Sequence, residues 1–247
     1  MYNELKDKIV LVTGGTRGIG FSTAKLFLQC GAKVAIIGRT EETLNKAKEK
    51  LSNFATNLYG VYGDLANELY SCFYDIEDNL GNIQILVNCA GIALPSDFEK
   101  ISLSDWNYVL AVNLTAPFLL SQLVSPNMKS KKYGKIINIS SIAGRNYSRL
   151  CGLHYSCSKA ALITMTKQLA AELGPYNINV NCICPGQTYT DMLEPFLEND
   201  GEEKIIGRIP LGYIAQPEQQ AKIILFLASD ASNYLNGTII DSTGGQL

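Results

Sequence analysis

The chain has 247 residues, 47% of them hydrophobic, with a formal net charge of −2 and a sequence pI near 5.5. This length and composition suit one α/β domain with a core on both faces of a sheet. The slightly acidic balance argues against a general nucleic-acid binder, which carries a basic excess.

Short apolar runs alternate with helical patterns along the whole chain. Strands are predicted at 8–13, 33–38, 58–62, 84–88, 135–140, 177–184 and 238–241, and helices at 18–30, 41–51, 65–80, 104–130, 154–173 and 218–228. The first and fourth predicted strands contain runs that do not alternate polar with apolar residues. Such runs are typical of strands buried on both faces. The pattern therefore predicts a doubly wound (Rossmann) parallel sheet of about seven strands, with helices on both faces, in a single α/β domain spanning 1–247.

An unusually long interval separates the strand that ends at 184 from the helix that begins at 218. Such intervals in compact domains usually have a function, and we expect a substrate lid around 187–216. Four apolar residues within it share helical spacing: Met192, Leu193, Phe196 and Leu197. They either line an apolar substrate channel or pack the lid onto the body.

No signal-peptide segment opens the chain and no apolar run approaches a membrane span in length, so a soluble cytoplasmic protein without membrane partners is expected. Seven scattered cysteines indicate reduced thiols. Cys182 and Cys184 share one face of a predicted strand, which makes a metal pair conceivable. The chain has one histidine, His154, and no second cysteine pair, so we expect small core residues and no metal site.

Three glycines, Gly14, Gly18 and Gly20, follow the first predicted strand and precede a helix. Glycines there let the backbone approach a pyrophosphate, at which the helix aims its first N–H groups. Thr16, Arg17 and Ile19 lie within the same turn and are predicted to contact the cofactor. The spacing departs from the commoner Gly-x-Gly-x-x-Gly, and a purely structural turn is the alternative. The flanking strand and helix favour a dinucleotide site.

The end of the second strand predicts which dinucleotide binds. NAD-dependent enzymes usually have an acid here, whose carboxylate binds the ribose 2′-hydroxyl. Gly38 takes that position and leaves room for a 2′-phosphate, with which the Arg39 guanidinium can pair. Arg17 can add a second positive charge. We therefore expect NADP(H), the alternative being that Arg39 is a solvated residue at a strand end.

Tyr155 and Lys159 are four residues apart on a predicted helix, so they lie on one face. An ammonium beside a phenol should lower the phenol's pKa from near 10, which would let Tyr155 exchange a proton with a carbonyl or alcohol oxygen near neutral pH. Ser141, just after the fifth strand, can hold the same oxygen. The order of these motifs indicates a nicotinamide-dependent oxidoreductase.

With these motifs the chain resembles the classical short-chain dehydrogenases/reductases over nearly all of its length. The family's Asn-Asn-Ala-Gly motif corresponds to Asn88-Cys89-Ala90-Gly91, with a cysteine at the second position that should have a mild effect. The resemblance implies a catalytic tetrad of Asn113, Ser141, Tyr155 and Lys159. It also implies cofactor contacts from the tetrad's Tyr155 and Lys159 and from Asp64, Leu65, Asn88, Ala90, Gly91, Pro185, Gly186, Thr188 and Thr190.

The resemblance also implies a mechanism and an assembly. Hydride passes between nicotinamide and a substrate carbon, and Tyr155 is the acid/base. Lys159 lowers the pKa of Tyr155 and holds the ribose, Ser141 positions the substrate oxygen, and Asn113 holds a water. The long helices at 104–130 and 154–173 would pair with their copies to form a homotetramer.

The size and the Thr190-Asp191-Met192 segment most resemble the 3-oxoacyl-acyl-carrier-protein reductase-like branch. The expected substrate is therefore a 3-oxoacyl thioester, possibly carrier-bound. The branch's arginine before the sixth strand is replaced by Tyr176, which leaves open a free ketone, sugar or secondary metabolite. A non-catalytic dinucleotide sensor is a remoter alternative.

Arg145 and Arg149 lie in a segment that should rim the pocket, where they can bind a phosphate or carboxylate on a substrate or carrier. Lys129, Lys131 and Lys132 form a basic patch after the long helix, the alternative being a solvated helix end. His154 either touches the substrate or lies on the surface at a helix N-terminus.

Overall fold

The computed structural model describes residues 2–148 and 151–246, and its strands form one sheet. The strands are β1 Ile9–Thr13, β2 Lys33–Gly38, β3 Leu58–Tyr62, β4 Ile85–Asn88, β5 Gly134–Ile139, β6 Ile178–Pro185 and β7 Ile239–Ser242. All neighbouring pairs are parallel, in the order β3-β2-β1-β4-β5-β6-β7. The predicted doubly wound sheet is confirmed.

Helices cover both faces of this sheet. They are α1 Gly18–Gln29, α2 Glu41–Lys50, α3 Leu69–Leu80, α4 Leu103–Leu110, α5 Ala116–Lys131, α6 Ile142–Arg145, α7 Leu153–Leu173, α8 Glu194–Asp200, α9 Glu202–Ile206 and α10 Pro217–Ala228. On β1, Val10 and Val12 pack with Phe27 of α1, whereas Leu11 packs on the opposite face with Phe73 of α3. All five side chains are buried, which explains why β1 is apolar throughout rather than alternating.

The predicted helix at 65–80 begins four residues later, at Leu69. The Asp64 side chain explains the delay, because its carboxylate accepts from the Ala66 backbone N–H at 2.9 Å and from Asn67 Nδ2 at 3.0 Å. An aspartate that bonds the backbone two residues ahead stabilises a turn and competes with helix formation.

The predicted helix at 104–130 is interrupted in the structure. A π-helical turn, Ala111–Thr115, separates α4 from α5 and carries Asn113 at its centre. Such turns are rare and frequently lie at functional sites. The spacing of apolar residues along the sequence does not indicate this wider turn. The hydrogen bonds of Asn113 are to Ile92 and Ser158, which are remote in sequence.

The span Leu103–Lys131 is long and apolar enough, by length and composition alone, to cross a membrane, with a mean hydropathy of 1.4 over its most apolar window. The expectation that no apolar run approaches this length was therefore wrong. The apolar face of α5 packs on the sheet, where Leu120, Val124 and Met128 are buried. Core packing accounts for much of the apolar character of this span.

The interval between β6 and α10 is a closed loop with its own small core. Its two ends pair with each other, since the Tyr189 N–H donates to the Ala215 carbonyl at 2.9 Å and the Ala215 N–H donates to the Gln187 carbonyl at 3.1 Å. Four buried residues pack together inside it: Leu193, Ile205, Ile209 and Ile214. We call this segment, 187–216, the lid.

Candidate active site

A cleft of about 330 Å³ lies along the carboxyl ends of β1, β2, β4, β5 and β6. The strand order reverses between β1 and β4, and open parallel sheets bind ligands outside such a reversal. Most predicted site residues line the cleft: Gly14, Thr16, Arg17, Gly18, Ile19, Gly20, Arg39, Asp64, Leu65, Ala90, Gly91, Ser141, Tyr155, Lys159, Pro185, Gly186, Thr188 and Thr190. Tertiary structure thus joins both motif groups in one site.

The glycine turn presents bare backbone to this cleft. Gly14 has a φ of 65°, and a Cβ on it would lie 2.9 Å from the Cα of Ala90. A Cβ on Gly20 would overlap the carbonyl oxygen of Gly14. Neither position accepts a side chain without rearrangement, so the turn and the first N–H groups of α1 form a cradle for an anion. This geometry fits the pyrophosphate of a dinucleotide.

The end of β2 contacts the glycine turn through Gly38 and Thr16. A Cβ on Gly38 would overlap the Thr16 methyl group, so a side chain at position 38 would require Thr16 to move. Arg39 lines the cleft beside them. Arg17 lines it too, but its Nη1 donates to Oδ2 of Asp191, in the lid, at 2.8 Å. The positive charge expected at this end is present and partly paired.

Ser141, Tyr155 and Lys159 converge where β5 ends. Ser141 is the N-cap of α6, and its Oγ accepts from the Ala143 N–H at 3.1 Å. Its hydroxyl is near enough to the Tyr155 phenol to lower the pKa of that phenol. Lys159 Nζ lies 5.7 Å from the centre of the Tyr155 ring and donates to the Ile139 carbonyl at 2.8 Å. A half-buried hydroxyl therefore meets a buried phenol and a buried ammonium in the cleft.

Burial controls the protonation of this group. It raises the pKa of Tyr155 above its usual value; the nearby Cys151 thiol raises that pKa further, and the Ser141 hydroxyl lowers it. Burial also lowers the pKa of Lys159. The expectation that the Lys159 ammonium lowers this pKa stays a prediction. In the structure, lost hydration has the largest effect on the pKa of Tyr155. The phenol is therefore protonated, which is the form that donates to a carbonyl oxygen.

Asn113 lies behind the cleft wall rather than in its lining. Its Oδ1 accepts from the Ile92 N–H at 2.9 Å, and its Nδ2 donates to the Ile92 carbonyl and to Ser158 Oγ, each at 3.0 Å. Ser158 precedes Lys159, so these bonds tie the π-turn to the catalytic helix. That Asn113 also holds a water stays a prediction.

Asn88 also lies outside the cleft lining. Its Nδ2 donates to Asn138 Oδ1 at 2.8 Å, and Asn138 Nδ2 donates to Thr166 Oγ1 at 2.9 Å. All three residues are buried, and their bonds join β4, β5 and α7. The predicted contact between the Asn88 side chain and the cofactor is therefore corrected to a role inside the core.

The sequence analysis missed several residues that line the cleft: Ile92, Tyr108, Val112, Ile142, Ser148, Cys151 and Gln187. The Tyr108 hydroxyl lies 3.4 Å from Oδ2 of Asp64, which is a predicted cofactor contact. The position of Tyr108 five residues before Asn113 could have indicated that it lies near the site. Cys89 also lines the cleft, and burial raises the pKa of its thiol to about 12, so it is an unreactive thiol.

The two strand cysteines, Cys182 and Cys184, are buried and pack beside Ile163, as expected for small core residues. Within the described residues, no group of three or more histidine, cysteine, aspartate or glutamate side chains is arranged to hold a metal ion.

Of the arginines expected at the rim of the pocket, the described one, Arg145, does not line the cleft. Arg145 is absent from the described cleft lining, and its Nε lies 3.0 Å from Asp241 Oδ1. Arg149 lies outside the described residues. His154 is fully buried and does not line the cleft, so neither substrate contact nor a surface position describes it.

The imidazole of His154 has no hydrogen-bond partner on either nitrogen among the described residues. It packs against Gly152, where a Cβ would lie 2.8 Å from the imidazole Cε1. Burial lowers the pKa of His154, whereas the Asp105 charge raises it. The folded chain therefore holds the neutral imidazole, and the unfolded chain takes up a proton more readily as the pH falls.

This predicts a pH dependence of stability. The contribution of neutral His154 to the free energy of unfolding is complete above the unfolded-state pKa near 6.5. It is lost as the pH falls below that value, at a rate of at most about 1.4 kcal/mol per pH unit. Urea unfolding of wild type and His154→Leu between pH 7.5 and 5 measures it. The stability of the variant relative to wild type should increase as the pH falls. A difference independent of pH would contradict the prediction.

The lid contributes apolar side chains to the cleft. Met192, Leu193 and Phe196 line it, whereas Leu197 packs only in the lid's own core. The predicted channel lining is therefore correct for three of the four residues. The stripe packs within the lid rather than onto the body.

Comparison with known proteins gives consistent results. Residues 8–201 match the family model of the short chain dehydrogenases. The chain is 38% identical to a 3-oxoacyl-acyl-carrier-protein reductase of Aquifex aeolicus, over 98% of each chain. It is 37% identical to a 3alpha-hydroxysteroid dehydrogenase of Mediterraneibacter gnavus, over 99% of this chain and 98% of that one. The solved structure of a proposed gluconate dehydrogenase from Agrobacterium tumefaciens superposes with a TM-score of 0.92 at 28% identity, covering 100% of this chain and 98% of that one.

Proposed function

Because the chain belongs to the classical short-chain dehydrogenases/reductases, on the branch that resembles the 3-oxoacyl-acyl-carrier-protein reductases, we propose that it is an NADPH-dependent reductase of 3-oxoacyl thioesters. The single observation that carries the catalytic part of this proposal is that Ser141 and the buried Tyr155 and Lys159 line the same part of a glycine-lined cleft. The nicotinamide supplies the hydride when bound.

The chain's own residues handle the substrate oxygen and its proton. Ser141 and Tyr155 both line the cleft, and Ser141 lies close enough to influence the pKa of the Tyr155 phenol, so a substrate oxygen beside them can accept from both hydroxyls. The raised pKa of Tyr155 keeps its proton in place until a developing alkoxide takes it. Lys159, held by the Ile139 carbonyl, then stabilises the phenolate that remains.

The proposal that the cofactor is NADP(H) is supported by charge at the adenosine end. Arg39 and Arg17 both line the cleft there, and no carboxylate stands at Gly38, where an NAD-dependent enzyme usually has one. A 2′-phosphate pairs with guanidinium groups through charge-assisted hydrogen bonds.

The proposal of an apolar acyl chain is supported by apolar side chains that line the cleft, three of them from the lid. Ile92, Ile142, Met192, Leu193 and Phe196 all line the cleft. Among the described lining residues the positive side chains are Arg17, Arg39 and Lys159, which the proposal assigns to the cofactor and to catalysis. A substrate with an uncharged carbonyl and an apolar chain suits such a surface.

The basic patch is too far from the cleft to hold a carrier protein at the cleft of the same subunit. This favours a thioester that binds without contact between its carrier and this patch. Lys129, Lys131 and Lys132 precede β5, at the amino end of the strands, whereas the cleft lies at their carboxyl ends. Lys129 Nζ lies 4.9 Å over the Tyr176 ring, so a cation–π contact engages it.

A second candidate, reduction of a free apolar ketone such as a steroid, is favoured by the same lining and by the hydroxysteroid dehydrogenase relative. NADPH oxidation with acetoacetyl-CoA, a 3-ketosteroid, a diketone and a keto-sugar separates the candidates. We expect the highest kcat/KM with acetoacetyl-CoA. Higher kcat/KM with the steroid would move the assignment to the second candidate, and binding of NADPH without any turnover would favour a dinucleotide sensor.

We also propose a homotetramer, because large apolar side chains on the long helices are exposed. Leu103 is 74% exposed, Phe118 43% and Leu153 44%. Light scattering at micromolar concentration should give four times the chain mass of 27.0 kDa. Phe118→Glu should lower this mass, whereas Leu211→Glu, an exposed lid position, should not. A monomeric wild type would refute the proposal.

A further inference from the structure

Arg17 and Asp191 form an ion pair across the mouth of the cleft. Arg17 Nη1 lies 2.8 Å from Asp191 Oδ2, and the two residues are separated by 174 positions in the sequence. Arg17 belongs to the glycine turn and Asp191 to the first part of the lid. The pair therefore connects the nucleotide half of the site to the lid.

The neighbouring contacts show that the pair stands at the adenosine end. Thr16, the residue before Arg17, touches Gly38, the residue before Arg39. On the other side, Gly18 lies against Thr190, because a Cβ on Gly18 would be 2.9 Å from the Thr190 methyl group. Arg17 thus stands between the end of β2 and the lid, within reach of a phosphate on one side and a carboxylate on the other.

We propose that Asp191 is a specificity-determining residue, whose carboxylate competes with the cofactor's 2′-phosphate for the Arg17 guanidinium. This inference rests on the proposed use of NADP(H). A dinucleotide without the 2′-phosphate leaves the ion pair intact, whereas NADPH has to draw Arg17 away from Asp191. The ion pair therefore weakens NADPH binding and leaves NADH binding nearly unchanged.

The expected effect is modest because both side chains are exposed, Arg17 by 64% and Asp191 by 51%. Exposed ion pairs contribute little, and salt screens them. Asp191→Asn should therefore tighten NADPH binding by about two- to fivefold at low ionic strength. The gain should shrink at high salt, and the affinity for NADH should stay the same.

Equilibrium titrations of NADPH and NADH, followed by cofactor fluorescence without substrate, test this inference. The proteins are wild type, Asp191→Asn, Asp191→Glu as the charge-conserving control, Arg17→Gln and the Arg17→Gln/Asp191→Asn double variant. We expect Asp191→Asn alone to lower the NADPH Kd, and the same change to have no effect once Arg17 is glutamine. Circular dichroism checks that each variant is folded.

Two outcomes would overturn the inference. One is weaker or unchanged binding of both cofactors by Asp191→Asn, which would make the ion pair only a contact between the glycine turn and the lid. The other is an equal effect of Asp191→Asn in the absence of Arg17. The proposal that the cofactor is NADP(H) is tested separately, because a wild-type Kd for NADH below that for NADPH would contradict it. In that case a lower NADPH Kd in Asp191→Asn would still support the competition at Arg17, and an unchanged one would reject it.

Discussion

Replacing Tyr155 with phenylalanine should lower turnover by about two to four orders of magnitude, the range of general acid catalysis. The variant keeps the buried ring and removes the hydroxyl that would donate to the substrate oxygen. Cofactor affinity should change little, because the glycine turn and the end of β2 are untouched. Steady-state kcat and an NADPH titration measure the two effects separately.

Tyr133→Phe is the matched control for this experiment. This substitution also removes a phenol hydroxyl, but Tyr133 precedes β5 at the amino end of the sheet, away from the cleft. Turnover by Tyr155→Phe close to that of wild type and of this control would exclude Tyr155 as the proton donor.

Wild type should use NADPH with a kcat/KM about ten- to 150-fold above that for NADH, which corresponds to one charge-assisted contact of roughly 1.5–3 kcal/mol. Arg39→Ile should remove most of this preference. Adding Gly38→Asp should reverse the preference in favour of NADH, because the new carboxylate repels the 2′-phosphate and accepts a hydrogen bond from a free 2′-hydroxyl. The measurement is kcat/KM for both cofactors in each protein.

The structure changes the design of the reversing variant. Gly38→Asp alone would force its Cβ into the Thr16 methyl group, so the variant should also carry Thr16→Ser, which keeps the hydroxyl and removes the methyl. Thr16→Ser alone is the control and should keep the NADPH preference. Equal use of both cofactors by wild type would show that Arg39 does not bind a 2′-phosphate.

The direction of the Tyr155 pKa shift limits what the spacing of two residues can predict. The i, i+4 interval correctly placed Tyr155 and Lys159 on one helix face, because that neighbour relation is local. It did not reveal that both groups are buried, nor that Lys159 donates to the Ile139 carbonyl. The pKa depends on hydration, and hydration is set by the elements that close over the residue.

His154 and Asn88 illustrate the same limit for polar residues. Their positions beside motif residues suggested contacts with substrate and cofactor, whereas both side chains are buried in the core. A sequence shows that a polar residue is near a motif along the chain. It does not show on which side of a strand or helix the folded protein places it.

The sequence by itself determined the strand–helix alternation, the glycine turn and the Ser141–Tyr155–Lys159 motif, because each depends on local backbone geometry or on a short repeat. Only the tertiary structure decided that a π-turn carries Asn113, that Thr16 fills the space beside Gly38, and that Asp191 reaches Arg17 from 174 residues away. These contacts form between segments that meet only when the sheet orders its strands. No local pattern specifies them.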